Sequence, residues 1–183
     1  MIKSVLRACA LATAMSAVAF AATENPMVGG AAMFENKNIV ENAMNSKDHT
    51  TLVAAVKAAG LVETLSGKGP FTVFAPTNAA FDKLPAGTVD NLLKPENKAM
   101  LTSILTYHVV AGKLSSKDVA AAIKAGNGKA ELTTVQGGKL TASMEGKDVI
   151  LIDPKGNKSK ITIFDVNQSN GVIHVLDTVV IPE

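Results

Sequence analysis

The chain has 183 residues, which suits one domain able to bury most of the apolar surface of its unfolded form. Apolar residues make up 47% and charged residues 19%, so a chain disordered throughout is excluded; aromatic residues are only 4% and Trp is absent, so the core must rest on Val, Ile, Leu and Ala. A formal net charge of +2, spread along the chain, provides none of the basic stripe that nucleic-acid binding needs.

The first segment reads as a secretory leader. Lys3 and Arg7 make a basic start, residues 8–20 a short apolar run, and Ala19-Phe20-Ala21 an A-x-A cleavage signal. The run is shorter than the roughly 20 apolar residues a membrane span needs. Cleavage after about Ala21 removes two of the 18 basic residues and leaves the mature chain close to neutral against its 16 acidic ones. It also removes Cys9, the one cysteine, so the exported domain holds neither disulfide nor thiolate and must be stabilised by its core. The expected location is periplasmic or secreted, with no membrane span once the leader is gone.

Residues 22–38 carry no hydrophobic period and read as a flexible arm before a domain over 39–183. Leu52, Val53, Val56 and Ala59 then recur at helical spacing, with Ser46 or Asp48 placed to cap and Gly60 to end the helix. The turn Gly67-Lys68-Gly69-Pro70 leads into a strand at 71–75. Asn78 is placed to cap a short helix through Leu84, and Pro95 fits the first position of another, whose stripe is Met100, Leu101, Ile104 and Leu105. Residues 107–110, YHVV, read as a strand. Ser115 or Ser116 begins a further helix with Val119, Ala122 and Ile123 inward, ending near Gly126.

From residue 130 the period becomes two. KLTASME, 139–145, alternates cleanly, Gly146-Lys147 reads as a hairpin turn before DVILID, and Asn170-Gly171 joins KITIFDV, 160–166, to the last strand. Helices in the first half and strands in the second predict an α+β fold with an antiparallel sheet.

Few residues here promise chemistry. On an unbulged last strand His174 shares a face with Val172 and Leu176, whereas Asp177 shares one with Ile173 and Val175, so the two do not form a dyad. The expected role of His174 is a packed ring with both nitrogens bonded to backbone, and that of Asp177 is to accept backbone N–H groups at a strand end. His49 reads as a solvated residue at a helix start. The three histidines lack zinc-site spacing, and Met27, Met33 and Met44 are too far apart for a compact copper motif. There is no G-x-S-x-G, and Gly126-Asn127-Gly128-Lys129 lacks the strand and hydroxyl residue of a phosphate loop. No catalysis, metal or cofactor is expected.

TVFAPTNAAF at 72–81, TYHVV at 106–110 and NGVIHVLDTVVIP at 170–182, taken in that order, resemble the fasciclin (FAS1) domain. The resemblance implies an antiparallel β-sandwich or wedge with helices packed mainly from the N-terminal half. It implies a non-enzymatic cell-adhesion module that binds a cell-surface protein, a matrix component or a polysaccharide. The alternative is a periplasmic carrier of a small ligand or metal. By the same resemblance Tyr107-His108 and Asp165-Val166 match positions implicated in partner contact, Val166 standing where the family pattern has Ile. Thr77, Asn78, His108, Gly171, His174 and Asp177 form the structural motif, in which a bond from His108 to the turn near Thr77-Asn78 would lock the first segment to the second.

Overall fold

A computed structural model describes residues 25–182; the expected leader lies outside the described residues. Within the segment expected to be a flexible arm, residues 27–33 form a docked hairpin. Strands β1 (Met27–Val28) and β2 (Ala31–Ala32) pair antiparallel, and Val28 and Met33 enter the core. Two anchors without a period suffice to dock this hairpin, and a periodic pattern cannot reveal them.

The helical half then follows. Helix α1 (Ile39–Asn45) begins with a capping box in which Asn38 and Glu41 satisfy each other's backbone N–H. A 3-10 turn at Lys47–His49 leads into α2 (Thr50–Ala59), which ends at Gly60 in the left-handed conformation, and α3 (Val62–Ser66) follows. Strand β3 (Phe71–Pro76) comes next, then α4 (Asn78–Asp82), capped by Thr77 rather than Asn78. Helix α5 (Thr88–Leu92) precedes α6 (Lys98–Tyr107), which a 3-10 turn at Pro95–Asn97 introduces. The expected strand at 107–110 starts two residues late: Tyr107 closes α6, His108 caps it, and β4 is Val109–Ala111. Helix α7 (Ser116–Ala125) carries a second capping box, Ser115 with Asp118.

The strand half supplies β5 (Lys129–Thr133), β6 (Lys139–Glu145), β7 (Asp148–Ile152), β8 (Lys158–Gln168) and β9 (Gly171–Leu176). Together they build one seven-stranded sheet in the order β4-β3-β9-β8-β7-β6-β5. Every pair is antiparallel except β3 with β9, which run parallel from Phe71 opposite Gly171 to Pro76 opposite Leu176. The sheet curls until its outer strands touch. Val110 bridges Thr134, and the Val135 N–H donates to the Val109 carbonyl at 2.7 Å. The result is an α+β wedge whose two sheet edges meet at this point, just past the end of β5.

Strand β9 is the centre, buried along its whole length. Ile173 and Val175 face a cluster with Leu52, Val56 and Leu105 from the helices. Leu176 faces the other way, into the folded sheet with Phe74, Tyr107, Ile123, Leu140 and Leu151. A sheet covered on both faces explains why NGVIHVLDTVVIP reads as almost continuously apolar. It also explains the glycine at its start: a Cβ on Gly171 would sit 2.0 Å from the Phe71 carbonyl oxygen of the parallel neighbour.

Candidate functional site

His174 sits fully buried in β9 between two aromatic rings, stacked on Phe74 at 5.7 Å and edge-on to Phe164 at 5.9 Å. Its Nε2–H donates to the Leu114 carbonyl at 2.8 Å and its Nδ1 accepts the Asp165 N–H at 3.3 Å, so both nitrogens serve the backbone and the tautomer is fixed. Burial holds its pKa below the ordinary histidine range against the opposing pull of the Leu114 carbonyl and the Asp165 carboxylate. Asp165 lies in an irregularity of β8, between the registers of Ile163 and Val166, with φ +54°. Its carboxylate accepts from the Ser116 N–H at 2.7 Å and from the Ser116 hydroxyl, which ties the start of α7 to the sheet. One staple therefore joins β9, β8, α7 and the loop before α7.

His108 is a second brace. Its Nδ1–H donates to the Ile104 carbonyl at 2.8 Å, and its Nε2 accepts the Val180 N–H at 3.3 Å. Burial drops its pKa to about 4. The expected bond to the Thr77-Asn78 turn is not made; His108 instead fastens α6 to the C-terminal segment. Asn78 serves another junction, accepting from Thr51 N–H at 3.0 Å and donating to the Lys47 carbonyl at 2.8 Å. The partner-contact expectation for Tyr107, His108 and Val166 meets a simple obstacle: all three are buried, and a contact residue must reach solvent. The Tyr107 hydroxyl points inward and donates to the Lys139 carbonyl at 2.7 Å. Asp165 is partly exposed but spends its oxygens on Ser116.

His49 departs from its expected solvated role. It is buried, its Nδ1 meets the Ser46 hydroxyl at 2.9 Å, and its Nε2 has no hydrogen-bond partner of normal geometry. Desolvation lowers its pKa against the Ala75 carbonyl and Asp48, which pull it upward. Asp177 accepts the Lys160 N–H at 2.9 Å and the Thr178 hydroxyl at 3.0 Å, with Lys83 at 3.4 Å. Burial opposes its ionisation, yet these bonds and Lys83 outweigh that and lower its pKa. Among the described residues no three His, Cys, Asp or Glu side chains gather to hold a metal. Of the three methionines weighed for copper, Met33 is buried while Met27 and Met44 lie exposed.

The interior leaves little room for a carried ligand. An apolar gap beside His108, walled by Ile39, Val56, Leu105 and Val109, has about 30 Å³, the space of a water molecule. The larger concavities are open and polar. One, of about 530 Å³, runs along the corner where the Gly67–Pro70 turn, the start of α1 and the β8–β9 turn meet. Asn170 builds that corner: its Nδ2 donates to the Leu65 and Gly67 carbonyls at 2.7 and 3.0 Å, and its Oδ1 accepts the Ile39 N–H at 3.1 Å. Sequence reasoning saw Asn170 only as a turn former, because bonds to residues more than 100 positions away leave no local signal. Asn170→Ala should cost about 2 kcal/mol in a urea titration, three side-chain bonds being lost at a half-buried site where water replaces some of them.

A family model for the fasciclin domain matches residues 47–182. The chain is 48% identical to protein sll1483 of Synechocystis sp. over 93% of its own length and 90% of that protein. It is 38% identical to the immunogenic protein MPT70 of Mycobacterium tuberculosis, over 76% of the chain and 66% of that protein. It is 36% identical to the cell surface glycolipoprotein MPB83 of Mycobacterium bovis, over 88% of the chain and 68% of that protein. Among solved structures, a FAS1 domain pair from the insect cell adhesion molecule fasciclin I superposes with TM-score 0.66 at 20% identity, over 78% of this chain and 50% of that one.

Proposed function

The chain belongs to the fasciclin domain family, and from that premise we propose that it acts as an exported, non-enzymatic adhesion module for a cell-surface, matrix or polysaccharide partner. The observation that carries this reading is the disposition of its polar groups. Every histidine is buried, and His108 and His174 spend both ring nitrogens on the backbone, while the sizeable concavities are open troughs walled by loops. Such a framework supports loops presented on a rigid scaffold. The relative called a cell surface glycolipoprotein and the solved neighbour called a cell adhesion molecule support the same reading.

The test is binding of the labelled, purified protein to the envelope fraction of its own host. Saturable retention that excess unlabelled protein displaces is the expected result. Retention no greater than that of an unrelated domain of similar size and charge would remove the reading.

A further inference from the structure

The trough at the Asn170 corner differs in its cations from the other large trough, the one beside Tyr107, whose single lysine, Lys139, holds the Glu131 carboxylate at 2.6 Å. Lys68 and Lys113, exposed on the trough, form no ion pair among the described residues. The one carboxylate there, Glu41, is turned into the capping box of α1, where it accepts the Asn38 N–H at 2.9 Å. The hydroxyls of Ser66 and Ser169 line the same trough, and neither has a hydrogen-bond partner among the described residues.

The walls are fixed before anything binds. The Asn170 side chain holds three segments, the Phe71 N–H donates to the Asn170 carbonyl at 3.1 Å, and the Gly112 N–H donates to the Pro70 carbonyl at 3.0 Å. A Cβ on Gly69 would lie 1.9 Å from the Asn170 carbonyl oxygen, so the two turns meet backbone to backbone. A preformed site loses little ordering entropy on binding. Its volume falls within the range of small-ligand sites, and its open form lets a polymer run through.

We propose that this trough binds an acidic polysaccharide, with Lys68 and Lys113 pairing with carboxylate or sulfate groups and Ser66 and Ser169 bonding to sugar hydroxyls. Two free ammonium groups and two free hydroxyls suit a ligand that is both anionic and rich in hydroxyls. The exposed ring of Pro70 adds an apolar surface for a sugar face. No aromatic side chain lines the trough, so it lacks the stacking platform a single-stranded nucleic acid uses. The inference rests on the adhesion-module reading and specifies its partner.

The experiment titrates the purified protein with polygalacturonate oligomers and with dextran sulfate, against neutral dextran and inorganic polyphosphate. Binding to one or both acidic polysaccharides is expected, which also tells the carboxylate source from the sulfate source. The double variant K68E/K113E should weaken it about tenfold or more, since charge reversal replaces two attractions with repulsions. K124E/K155E, which reverses two exposed lysines away from the trough, should leave it unchanged, and unaltered melting temperatures should show both variants folded. Unchanged binding by K68E/K113E overturns the inference, as does equal affinity for neutral dextran or polyphosphate. Envelope binding retained by K68E/K113E, with no affinity for either acidic polymer, would sink this inference and leave the adhesion-module reading standing; loss of all envelope binding by the unaltered protein would sink that reading instead.

Discussion

Replacing His174 with alanine is expected to cost about 4 kcal/mol of folding stability, the largest effect of any single polar substitution in this protein. The imidazole leaves behind the Leu114 carbonyl and the Asp165 N–H, which lose their partners inside the protein. Each orphaned group, at a part-buried position, costs at most roughly 1–3 kcal/mol, and the empty space between Phe74 and Phe164 adds a cavity term. The damage spreads because Asp165 is held at φ +54°, a conformation that a non-glycine residue keeps only when its surroundings impose it. Losing its bond to His174 weakens the irregularity of β8 and with it the carboxylate's grip on Ser116 at the start of α7. Urea titration should show the midpoint falling with little change in slope. His174→Phe separates the contributions: it keeps a ring in the stack but restores neither bond, so it should lie between the alanine variant and the parent protein. A loss under about 1 kcal/mol for His174→Ala would mean that the ring fills space and braces nothing.

The legibility of this brace from sequence was partial, and the reason is physical. Strand alternation sufficed to set His174 and Leu176 on the face opposite Ile173 and Val175, because period two survives in any strand that is not bulged, whereas Asp177 falls just past the end of β9. It could not reveal that Asp165 sits in a bulge, nor that its carboxylate meets Ser116, 49 positions away. The parallel pairing of β3 with β9 was hidden for the same reason: hairpin turns announce antiparallel neighbours, whereas a parallel partner 100 residues distant has no local sign. Tyr107 and His108 were misplaced as strand residues because VV follows them, and helix ends blur by a residue or two. His49 was misread as solvated because a charged neighbour, Asp48, and a helix start usually lie at the surface; the docked β1–β2 hairpin and β3 bury it through Val28, Met33 and Ala75. The trough was legible only as two turns, Gly67–Pro70 and Asn170-Gly171, which chain order separates and the fold joins.

Acid should destabilise this protein well before its carboxylates begin to protonate. His108 titrates near 6.5 in the unfolded chain and at about 4 in the folded one, because burial disfavours the charged ring and outweighs the upward pull of the Ile104 carbonyl. Above pH 6.5 the ring is neutral in both states and pH has no effect through it. As pH falls from 6.5 towards 4 the unfolded chain binds a proton that the folded chain refuses, so stability drops by about 1.4 kcal/mol per pH unit, or about 3 kcal/mol in all. Below about 4 the folded ring accepts the proton too and this loss levels off. His49 and His174 are shifted in the same direction, each mainly by burial, so the slope over that window should exceed one proton. The lowered carboxyls of Asp118 and Asp177 act at still lower pH, where their protonation removes the bonds their charged forms accept. Urea midpoints taken at intervals from pH 7.5 to pH 4.5 should therefore stay level down to about 6.5 and then fall steeply. His108→Gln should start from a lower stability at pH 7 yet show a shallower descent by about one proton, because a side chain that cannot titrate carries no linkage. A midpoint that stays level across the whole series would mean that these imidazoles gain protons as readily folded as unfolded, and that water reaches them.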